Sequence, residues 1–362
     1  MKLVVTGGGT GGHVFPALEV AGQAKNSGWE LFYLGSYRGQ EKKLCEQKGI
    51  DFAGFHSYPF YGILTKRGFE ARISFIRATL EAQLFLKKYQ PNILFSTGGY
   101  SSAPIVSAAR RLKIPYVLHE QNSVPGRTNI ILSKGAKCIA TVFEGTADHF
   151  KNAIVVRTGM PVRAELRKES KKYLSQKSSK INPHILVTGG SQGAEDLNES
   201  ILVIACSLRK EKISWMHMTG PSHYEKVKNQ SEKLNLGSNY ENAPFLESMQ
   251  LAKELACCSL SVCRSGSGTI TELAAFQKPG IFIPYPYAHA NHQFHNAKEI
   301  ENLGAGTIIE QKSLRSENLL QVIQNWLNDS GKMQSAADVL AKWDIEDAAR
   351  RVISLLKEAS NV

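Results

Sequence analysis

The chain has 362 residues, 42% of them hydrophobic, and a formal net charge of +12. This length is too great for one ordinary domain and suits two, while a charged fraction of only 21% argues against disorder. The six cysteines form no CxxC pair and have no regular spacing, which favours reduced, mostly buried thiols in a cytosolic protein.

The sequence shows no signal peptide and no run of about 18 to 20 apolar residues, so we expect a soluble or peripheral protein. The positive charge indicates an anionic partner, such as nucleic acid, acidic lipid or a phosphorylated substrate, unless it reflects only scattered solvated lysines. Because RNP, zinc-finger and helix-turn-helix signatures are absent from the sequence, a nucleic-acid partner is not expected.

The first half of the chain alternates short apolar runs with longer amphipathic ones. Strands are predicted at KLVVT (2–6), ELFYL (30–34), DFAGF (51–55), NILFS (92–96), YVLHE (116–120), KCIAT (137–141) and AIVVR (153–157). Apolar residues at helical spacing predict a helix over 14–27, and Gly28 suits its end. This alternation predicts βαβ units and a parallel sheet.

The second half repeats the pattern after a polar, basic stretch, RKESKKYLSQKSSKINP (167–183), which lacks periodicity and predicts a linker or exposed loop. Strands are then predicted within HILVTGG, ISWMHMTG, SLSVCRSGSG, GIFIPYP and GAGTIIE, and the last fifty residues are predicted mostly helical, including 345–359. LVVTGGGTGG is similar to ILVTGGSQGA. Two tandem Rossmann-like domains with a binding cleft between them are therefore predicted.

The loop TGGGTGGH (6–13) satisfies G-x-G-x-x-G through Gly7, Gly9 and Gly12. Such a loop brings bare backbone and a helix N-terminus close to an anion. Dinucleotide sites add an acidic residue about 20 residues further on. LFYLGSYRG and WMHMTGPSH have none at the strand end, and a Walker A motif is absent from the sequence, so a nicotinamide or flavin enzyme is disfavoured.

Three polar groupings are candidates for the site. His13, at a helix start, is either a general base kept neutral by the helix dipole or a local cap. In CRSGSGTITE, Ser265 to Thr269 form a nest of N–H groups, and Glu272 either binds the vicinal hydroxyls of a ribose or serves only the helix dipole. The run of polar residues 119–122 lies at a strand end, where it suits a polyhydroxylated ligand or is simply a polar loop.

Seven stretches together resemble one family in its order along the chain: TGGGTGGH, STGGYSSAP, LHEQNSVPGRTN, TGMPVR, LVTGGSQGA, CRSGSGTITE and HQFHNA. They are similar to the MurG family, bacterial transferases that add N-acetylglucosamine (GlcNAc) to undecaprenyl-pyrophosphoryl-muramyl-pentapeptide (lipid I) in peptidoglycan synthesis. The resemblance implies the α/β GT-B fold, with two Rossmann-like domains facing each other across a cleft. It implies an acceptor and membrane-facing domain at 1–163, a UDP-GlcNAc-binding domain at 164–340, and a C-terminal helix at 341–362 packing back on the first domain.

The resemblance also implies a set of donor-binding residues. These are Thr10, Gly11, Gly12, Asn122, Arg163, Ser191, Leu246, Ser267, Gly268, Thr269, Ile270, Thr271, Glu272 and Gln293. Within this set, the first glycine loop (Thr10, Gly11 and Gly12) is expected to contact the sugar and the diphosphate. Asn122 is expected to bind the sugar, and Arg163 and Ser191 are expected to lie near the phosphates. Leu246 offers its backbone to uracil, Glu272 binds the ribose and Gln293 the GlcNAc hydroxyls. The family often has two glutamines or an Asp/His-Gln pair at this place, and here the pair is His292 and Gln293, so only Gln293 carries over.

The implied reaction is an inverting displacement in which the muramyl 4-hydroxyl attacks the anomeric carbon and UDP leaves. His13 is the predicted base, with Glu120 and His119 as alternatives or orienting partners. Because an Asp-x-Asp motif is absent from the sequence, neither a metal nor a cofactor is expected. Other GT-B glycolipid glycosyltransferases, nucleotide-sugar 2-epimerases and a non-catalytic nucleotide-binding membrane adaptor remain alternatives.

Residues 57–90 predict a membrane-facing surface. Its apolar residues are Phe60, Tyr61, Ile63, Leu64, Phe69, Ile73, Phe75 and Ile76, and its cations are Lys66, Arg67, Arg72 and Arg77. This mixture suits peripheral docking on the anionic cytoplasmic face of the bacterial inner membrane, although 70–89 also suits an amphipathic helix packed on its own sheet. Cell-wall synthesis proteins are possible further partners.

Overall fold

The structure is a computed structural model that describes residues 1–9, 11–57, 66–176, 182–190 and 192–360. The chain forms two compact units. The first unit contains Met1–Arg163 and the chain from Asp347 onwards, and the second unit contains Ala164–Glu346.

The first unit is built on a parallel sheet of seven strands in the order β3-β2-β1-β4-β5-β6-β7. The strands are β1 (Lys2–Thr6), β2 (Glu30–Ser36), β3 (Phe52–Phe55), β4 (Ile93–Ser96), β5 (Tyr116–Glu120), β6 (Cys138–Thr141) and β7 (Val155–Arg157). Its first helices are α1 (Gly11–Asn26), α2 (Glu41–Gln47), α3 (Lys66–Tyr89), α4 (Ala103–Arg111) and α5 (Arg127–Ser133). This strand order is that of the Rossmann fold.

The second unit repeats this order in a parallel sheet of six strands, β10-β9-β8-β11-β12-β13. The strands are β8 (His184–Thr188), β9 (Ser214–Met218), β10 (Tyr240–Ala243), β11 (Leu260–Cys263), β12 (Gly280–Phe282) and β13 (Gly306–Ile308). The helices are α6 (Ala164–Ser175), α7 (Glu195–Ser207), α8 (Tyr224–Lys233), α9 (Ser248–Cys257), α10 (Ser267–Ala275), α11 (His292–Asn302), α12 (Ser316–Leu327) and α13 (Ser330–Trp343).

The core of the first unit lies on both faces of its sheet because side chains alternate along each strand. Leu3 and Val5 face one cluster, and Val4 faces the other. The first cluster is closed by α1 and by the last helix, α14 (Ala348–Ala359), which returns to the first unit. The second cluster lies under α3 and α4.

The predicted strands are confirmed, but two assignments in the second unit differ. The predicted linker is wrong over 167–175, because this stretch belongs to α6. Leu166, Ser170 and Tyr173 have helical spacing, and the first two are buried. The linker was predicted from residue 167 onwards, so it left out Leu166 and with it the start of the helical pattern. The edge strand β10, with the polar sequence YENA, was not predicted.

Within the described residues, no helix has both the length and the apolar character required to span a membrane.

Candidate active site

Polar loops gather at the carboxyl edge of the first unit's sheet, since every strand there runs in the same direction. The loops after β1, β4 and β5 meet at this edge and are joined by hydrogen bonds. They carry the motifs TGGGTGGH, STGGYSSAP and HEQN. This edge of an open α/β sheet is where ligands bind in such folds.

Two glycine loops, 7–9 after β1 and 98–102 after β4, interlock. The backbone N–H of Gly8 donates to the carbonyl of Gly98 at 3.3 Å. A Cβ on Gly7 would lie 1.8 Å from Thr97 Oγ1, and one on Gly99, whose φ is +88°, would lie 2.0 Å from the Gly8 carbonyl oxygen. Only glycine permits this approach of backbone to backbone.

His13 is held at the start of α1 by the same loop pair. Its Nδ1 lies 2.8 Å from the carbonyl oxygen of Thr97, and Thr97 Oγ1 donates to the carbonyl of His13 at 2.7 Å. Because a carbonyl oxygen can only accept, Nδ1 carries the proton in the neutral ring. The Nε2 atom of His13 is then the ring's hydrogen-bond acceptor, as a general base requires.

His119 differs from His13 in that both of its ring nitrogens are used inside the unit. Nε2 donates to the carbonyl of Gly159 at 3.0 Å, and Nδ1 accepts from Gln121 Nε2 at 3.0 Å. Burial lowers the pKa of His119 to about 4, so the ring is neutral at pH 7. Gln121 Nε2 also donates to the Thr97 carbonyl at 2.9 Å, and so His119 supports the atom that orients His13.

Glu120 is buried and accepts four hydrogen bonds. The backbone N–H of Asn122 reaches Oε1 at 3.0 Å, and Asn122 Nδ2 reaches it at 3.4 Å. The backbone N–H of Gly126 and Asn129 Nδ2 reach Oε2 at 3.0 and 2.8 Å. A carboxylate with both oxygens engaged in this way shapes the HEQN loop, and little of its acceptor capacity remains for a substrate proton.

The other predicted residues of the first unit take different positions. Gly11 and Gly12 open α1, and Asn122 is partly buried in the loop after β5. The guanidinium of Arg163 lies over the ring of Phe15, 5.4 Å from its centroid. Thr10 lies outside the described residues.

In the second unit, a buried network that the sequence did not reveal orients the carbonyl of Thr219, which lies against Gly193 in the loop after β8. Asn198 Nδ2 donates to the carbonyl of Thr219 at 3.0 Å, and His217 Nε2 donates to Asn198 Oδ1 at 2.9 Å. Burial lowers the pKa of His217 to about 3 and keeps its ring neutral. A Cβ on Gly193 would lie 2.1 Å from the same Thr219 carbonyl oxygen. Ser191, within this loop, lies outside the described residues.

The N-terminus of α10 is the second unit's other candidate for anion binding. Ile270 N–H is the first in the helix to bond back, to the Gly266 carbonyl at 3.1 Å, so the N–H groups of Ser267, Gly268 and Thr269 have no partner within the helix. Thr271 is buried, and its hydroxyl donates to the carbonyl of Ser267 at 2.8 Å. Glu272 follows and is partly buried.

Gln293 is oriented by the loop after β12. Its Oε1 accepts from the backbone N–H of Tyr285 at 2.9 Å, which makes Nε2 the group available for donation. The loop itself is held by the buried Arg264, which donates to the carbonyls of Ile283 and Pro284 at 3.0 and 3.1 Å. Leu246 is buried in the loop between β10 and α9 of the same unit.

The predicted site residues therefore fall into two groups, each at the carboxyl edge of its own sheet. Thr97 and Arg264, which support these groups, are not predicted as functional although each lies in a quoted motif, and Gln121 is predicted only as one member of the polar run 119–122. Among the described residues, no group of three His, Cys, Asp or Glu side chains is arranged to hold a metal ion.

Comparisons with known proteins agree with this architecture. The glycosyltransferase family 28 N-terminal domain matches residues 3–141, and the glycosyltransferase family 28 C-terminal domain matches residues 184–352. The UDP-N-acetylglucosamine–N-acetylmuramyl-(pentapeptide) pyrophosphoryl-undecaprenol N-acetylglucosamine transferase of Halothermothrix orenii is 35% identical and that of Bacillus pumilus 34%, with 99% of each chain covered.

Among solved structures, that of Acinetobacter baumannii MurG is 28% identical, with a TM-score of 0.79 over 99% of both chains. UDP-GlcNAc 2-epimerase from Neisseria meningitidis, at 12% identity and a TM-score of 0.69 over 99% of this chain and 100% of that one, shares the fold.

Two Rossmann-like units with glycine loops at their carboxyl edges define the GT-B class of glycosyltransferases, and the predicted fold class is confirmed. Within that class, the chain belongs to the family of UDP-N-acetylglucosamine–N-acetylmuramyl-(pentapeptide) pyrophosphoryl-undecaprenol N-acetylglucosamine transferases, the MurG family.

Proposed function

We propose that the protein transfers GlcNAc from UDP-GlcNAc to the muramyl 4-hydroxyl of lipid I, which forms lipid II for peptidoglycan synthesis. The observation that carries this proposal is the full-length match to transferases of that printed name. Each of the two matched regions contains a glycine loop at the carboxyl edge of its sheet, and these loops support the proposal of one nucleotide-sugar site and one acceptor site.

The second unit is proposed to bind the donor. The free N–H groups at the start of α10 and the glycine loop that contains Ser191 would receive the diphosphate, because helix N-termini favour anions. Glu272 is proposed for the ribose, Leu246 for uracil and Gln293 Nε2 for a GlcNAc hydroxyl. The fixed orientation of the Gln293 amide supports its role in choosing the sugar.

The first unit is proposed to bind the acceptor and supply the base. His13 is favoured because its Nδ1–H is used by Thr97 while Nε2 is the accepting nitrogen. Glu120 and His119 are better assigned as positioning groups, since internal hydrogen bonds occupy both of them. Arg163 is proposed to stabilise charge that develops on the leaving UDP. Contacts of Thr10, Gly11, Gly12 and Asn122 with the sugar remain proposals.

The reaction is tested by incubating the protein with a lipid I analogue and labelled UDP-GlcNAc, UDP-GalNAc or UDP-glucose in detergent. Labelled lipid from UDP-GlcNAc alone supports the proposal. Product formed only with a diacylglycerol acceptor would indicate another GT-B glycolipid transferase, and free sugar epimerised without an acceptor would indicate a 2-epimerase. Donor binding without any transfer would favour the non-catalytic adaptor.

A membrane-docking role is proposed for the outer face of α3, at the cytoplasmic face of the inner membrane. Phe69, Ile73, Ile76, Leu80 and Leu84 recur at helical spacing and are between 51% and 69% exposed. The opposite face packs into the core through Ala78, Ala82 and Leu86. An exposed apolar stripe with Arg72 and Arg77 nearby suits insertion among anionic headgroups. The predicted residues Phe60, Tyr61, Ile63 and Leu64 lie outside the described residues.

This docking is tested by flotation with vesicles that contain anionic lipid. Leu80→Glu and Ile76→Glu should abolish co-flotation, whereas Ile131→Glu, which changes an even more exposed apolar residue on α5, should not. Equal flotation of all three variants would contradict the assignment. Association with cell-wall synthesis proteins stays a prediction.

A further inference from the structure

Glu41, the first residue of α2, is a fully buried carboxyl group that the proposed mechanism does not use. Neither of its oxygens has a hydrogen-bond partner of good geometry among the described residues. Buried glutamates are rare unless they are paired, so an unpaired one requires an explanation.

The carboxyl group lies directly against the interlocked glycine loops of the first unit. A Cβ on Gly8 would lie 1.9 Å from Glu41 Oε1 and 2.3 Å from Ser101 Oγ. A Cβ on Gly39 would lie 1.4 Å from Oε2. Glu41 and Ser101 thus share the space that the absent side chain of Gly8 leaves, between loops 7–9 and 98–102.

The Ser101 hydroxyl is also buried and, within the described part of the chain, has no hydrogen-bond partner. A neutral carboxylic acid can donate to such a hydroxyl and accept from it, whereas a carboxylate can only accept. The Ser101 hydroxyl can therefore pair with either form of Glu41, and by itself it lowers the pKa of that carboxyl.

Burial is the one effect of the surroundings that favours the neutral form of Glu41, and it is the largest. Burial raises the pKa of Glu41, and this effect outweighs the backbone amides of Glu41, Gly9 and Ser36 and the Ser101 hydroxyl, which lower it. The titratable groups that respond to its charge are Tyr33 on β2 and Cys45 on α2. Burial raises the pKa values of both, that of Cys45 to about 12, so both are neutral at physiological pH.

We propose that Glu41 is a positioning residue for the two glycine loops, and that its neutral form allows these loops to bind a substrate diphosphate. An ionised Glu41 would attract the backbone N–H of Gly9 and place a negative charge directly behind the loops, where it repels an anion across a poorly solvated space. This inference rests on the proposed function. The diphosphate belongs either to the lipid acceptor or to the nucleotide donor, and the test distinguishes these two sources.

The test measures the KM of each substrate between about pH 5 and pH 9 for the wild type and for Glu41→Gln, its neutral isostere. For the substrate whose diphosphate binds the loops, the wild-type KM should rise about tenfold or more as Glu41 ionises. In Glu41→Gln the KM should stay low across the range. The other substrate should show no such difference.

Two further variants separate positioning from simple stability. Ser101→Ala removes a group that lowers the pKa of Glu41, so the midpoint of the KM profile should move to higher pH. Glu46→Gln, on the same helix but exposed, should follow the wild type. Identical pH profiles for the wild type and Glu41→Gln, for both substrates, would overturn the proposal.

Binding of inorganic pyrophosphate, followed by calorimetry, keeps this test separate from the proposed function. If no transfer occurs with any acceptor, tighter pyrophosphate binding by Glu41→Gln than by the wild type at high pH would still support the role of Glu41. Equal affinities at every pH would reject it.

Discussion

His13 and His119 occupy one unit and one polar edge, yet their hydrogen bonds give them different chemistry. Both ring nitrogens of His119 form hydrogen bonds within the unit, whereas His13 forms one such bond, from Nδ1 to the Thr97 carbonyl. The carbonyl of Thr97 also accepts from Gln121, so a single backbone oxygen connects the two rings. The imidazole of His13, the proposed base, is thus oriented through Nδ1, which leaves Nε2 as its accepting nitrogen.

His13→Ala is expected to lower kcat by about 10²- to 10⁴-fold, the usual contribution of a general base. Binding of UDP-GlcNAc, measured by calorimetry, should be almost unchanged. His149→Ala, at an exposed position of the same unit, is the control and should retain wild-type turnover. Lost donor affinity with intact turnover of the bound complex would make His13 a donor contact instead.

At the level of single residues, the sequence located the polar edge but could not distinguish roles within it. Glu120 is predicted as an alternative base or an orienting partner, but its four donors include Gly126 and Asn129, which only the fold of the following loop brings to it. The burial of Glu41 could not be predicted from the sequence, because its segment has the pattern of an ordinary charged helix. Its carboxyl group is buried in space that Gly8 and Gly39 leave open.

At the level of elements, the two glycine loops lie so close together that the backbone of Gly8 occupies the place where a side chain on residue 99 would be. Gly99→Ala would place a Cβ 2.0 Å from the Gly8 carbonyl at a positive φ, so we expect a loss of more than about 2 kcal/mol in the free energy of unfolding. Acceptor KM should also rise, since the loops must separate.

Gly22→Ala is the matched control for Gly99→Ala. Gly22 lies inside α1, and a Cβ there would have nothing within 4 Å. The substitution should stabilise the protein by about 0.5–1 kcal/mol because alanine is the better helix former. Urea unfolding of both variants checks the pair, and equal effects would contradict the steric argument.

The alternation of strands and helices was predictable because buried parallel strands are short apolar runs. The elements that were not predicted, the 167–175 part of α6 and the edge strand β10, are those with few apolar residues. Helix α6 is stabilised by contacts with distant parts of the chain. Arg167 forms a bidentate ion pair with Asp344 at the end of α13, and the Nη2–Oδ1 distance is 3.0 Å. No local pattern reveals a partner 177 residues away.

For the whole molecule, the chain's return to its first unit has an energetic consequence. Val352, Ile353 and Leu356 of α14 are buried in the cluster that contains α1 and one face of the first sheet. Burial of each side chain contributes about 1.5–3 kcal/mol. A chain ended after Glu346 should therefore lose hydrogen-exchange protection in β1 and β4 and keep it in β8 and β11. Equal loss in both sheets would show that the two units unfold as one.

The two buried histidines predict acid lability. The pKa of His119 is about 4 and that of His217 is about 3, both below the ordinary value of 6.5. As the pH falls below 6.5, the unfolded chain therefore binds more protons at these two histidines than the folded chain does. Stability is complete above pH 6.5 and declines below it, by about 2 kcal/mol per histidine at pH 5. Glu41 acts in the opposite direction, because its raised pKa favours the folded state at low pH.

Urea unfolding at several pH values between about 5 and 8 tests the histidine effect. His217→Gln, which keeps a neutral polar side chain, should flatten the pH dependence, whereas the exposed His149→Gln should not. An unchanged slope in His217→Gln would contradict the assignment.

The central claim, a single inverting transfer to the muramyl 4-hydroxyl, is tested most directly by the NMR structure of the transferred product. The protein, UDP-GlcNAc and a lipid I analogue should yield a disaccharide in which GlcNAc is β-linked through that hydroxyl, since the donor's sugar is α-linked to UDP. An α-linkage would contradict the single displacement. Attachment at another hydroxyl would contradict the placement of the acceptor against His13.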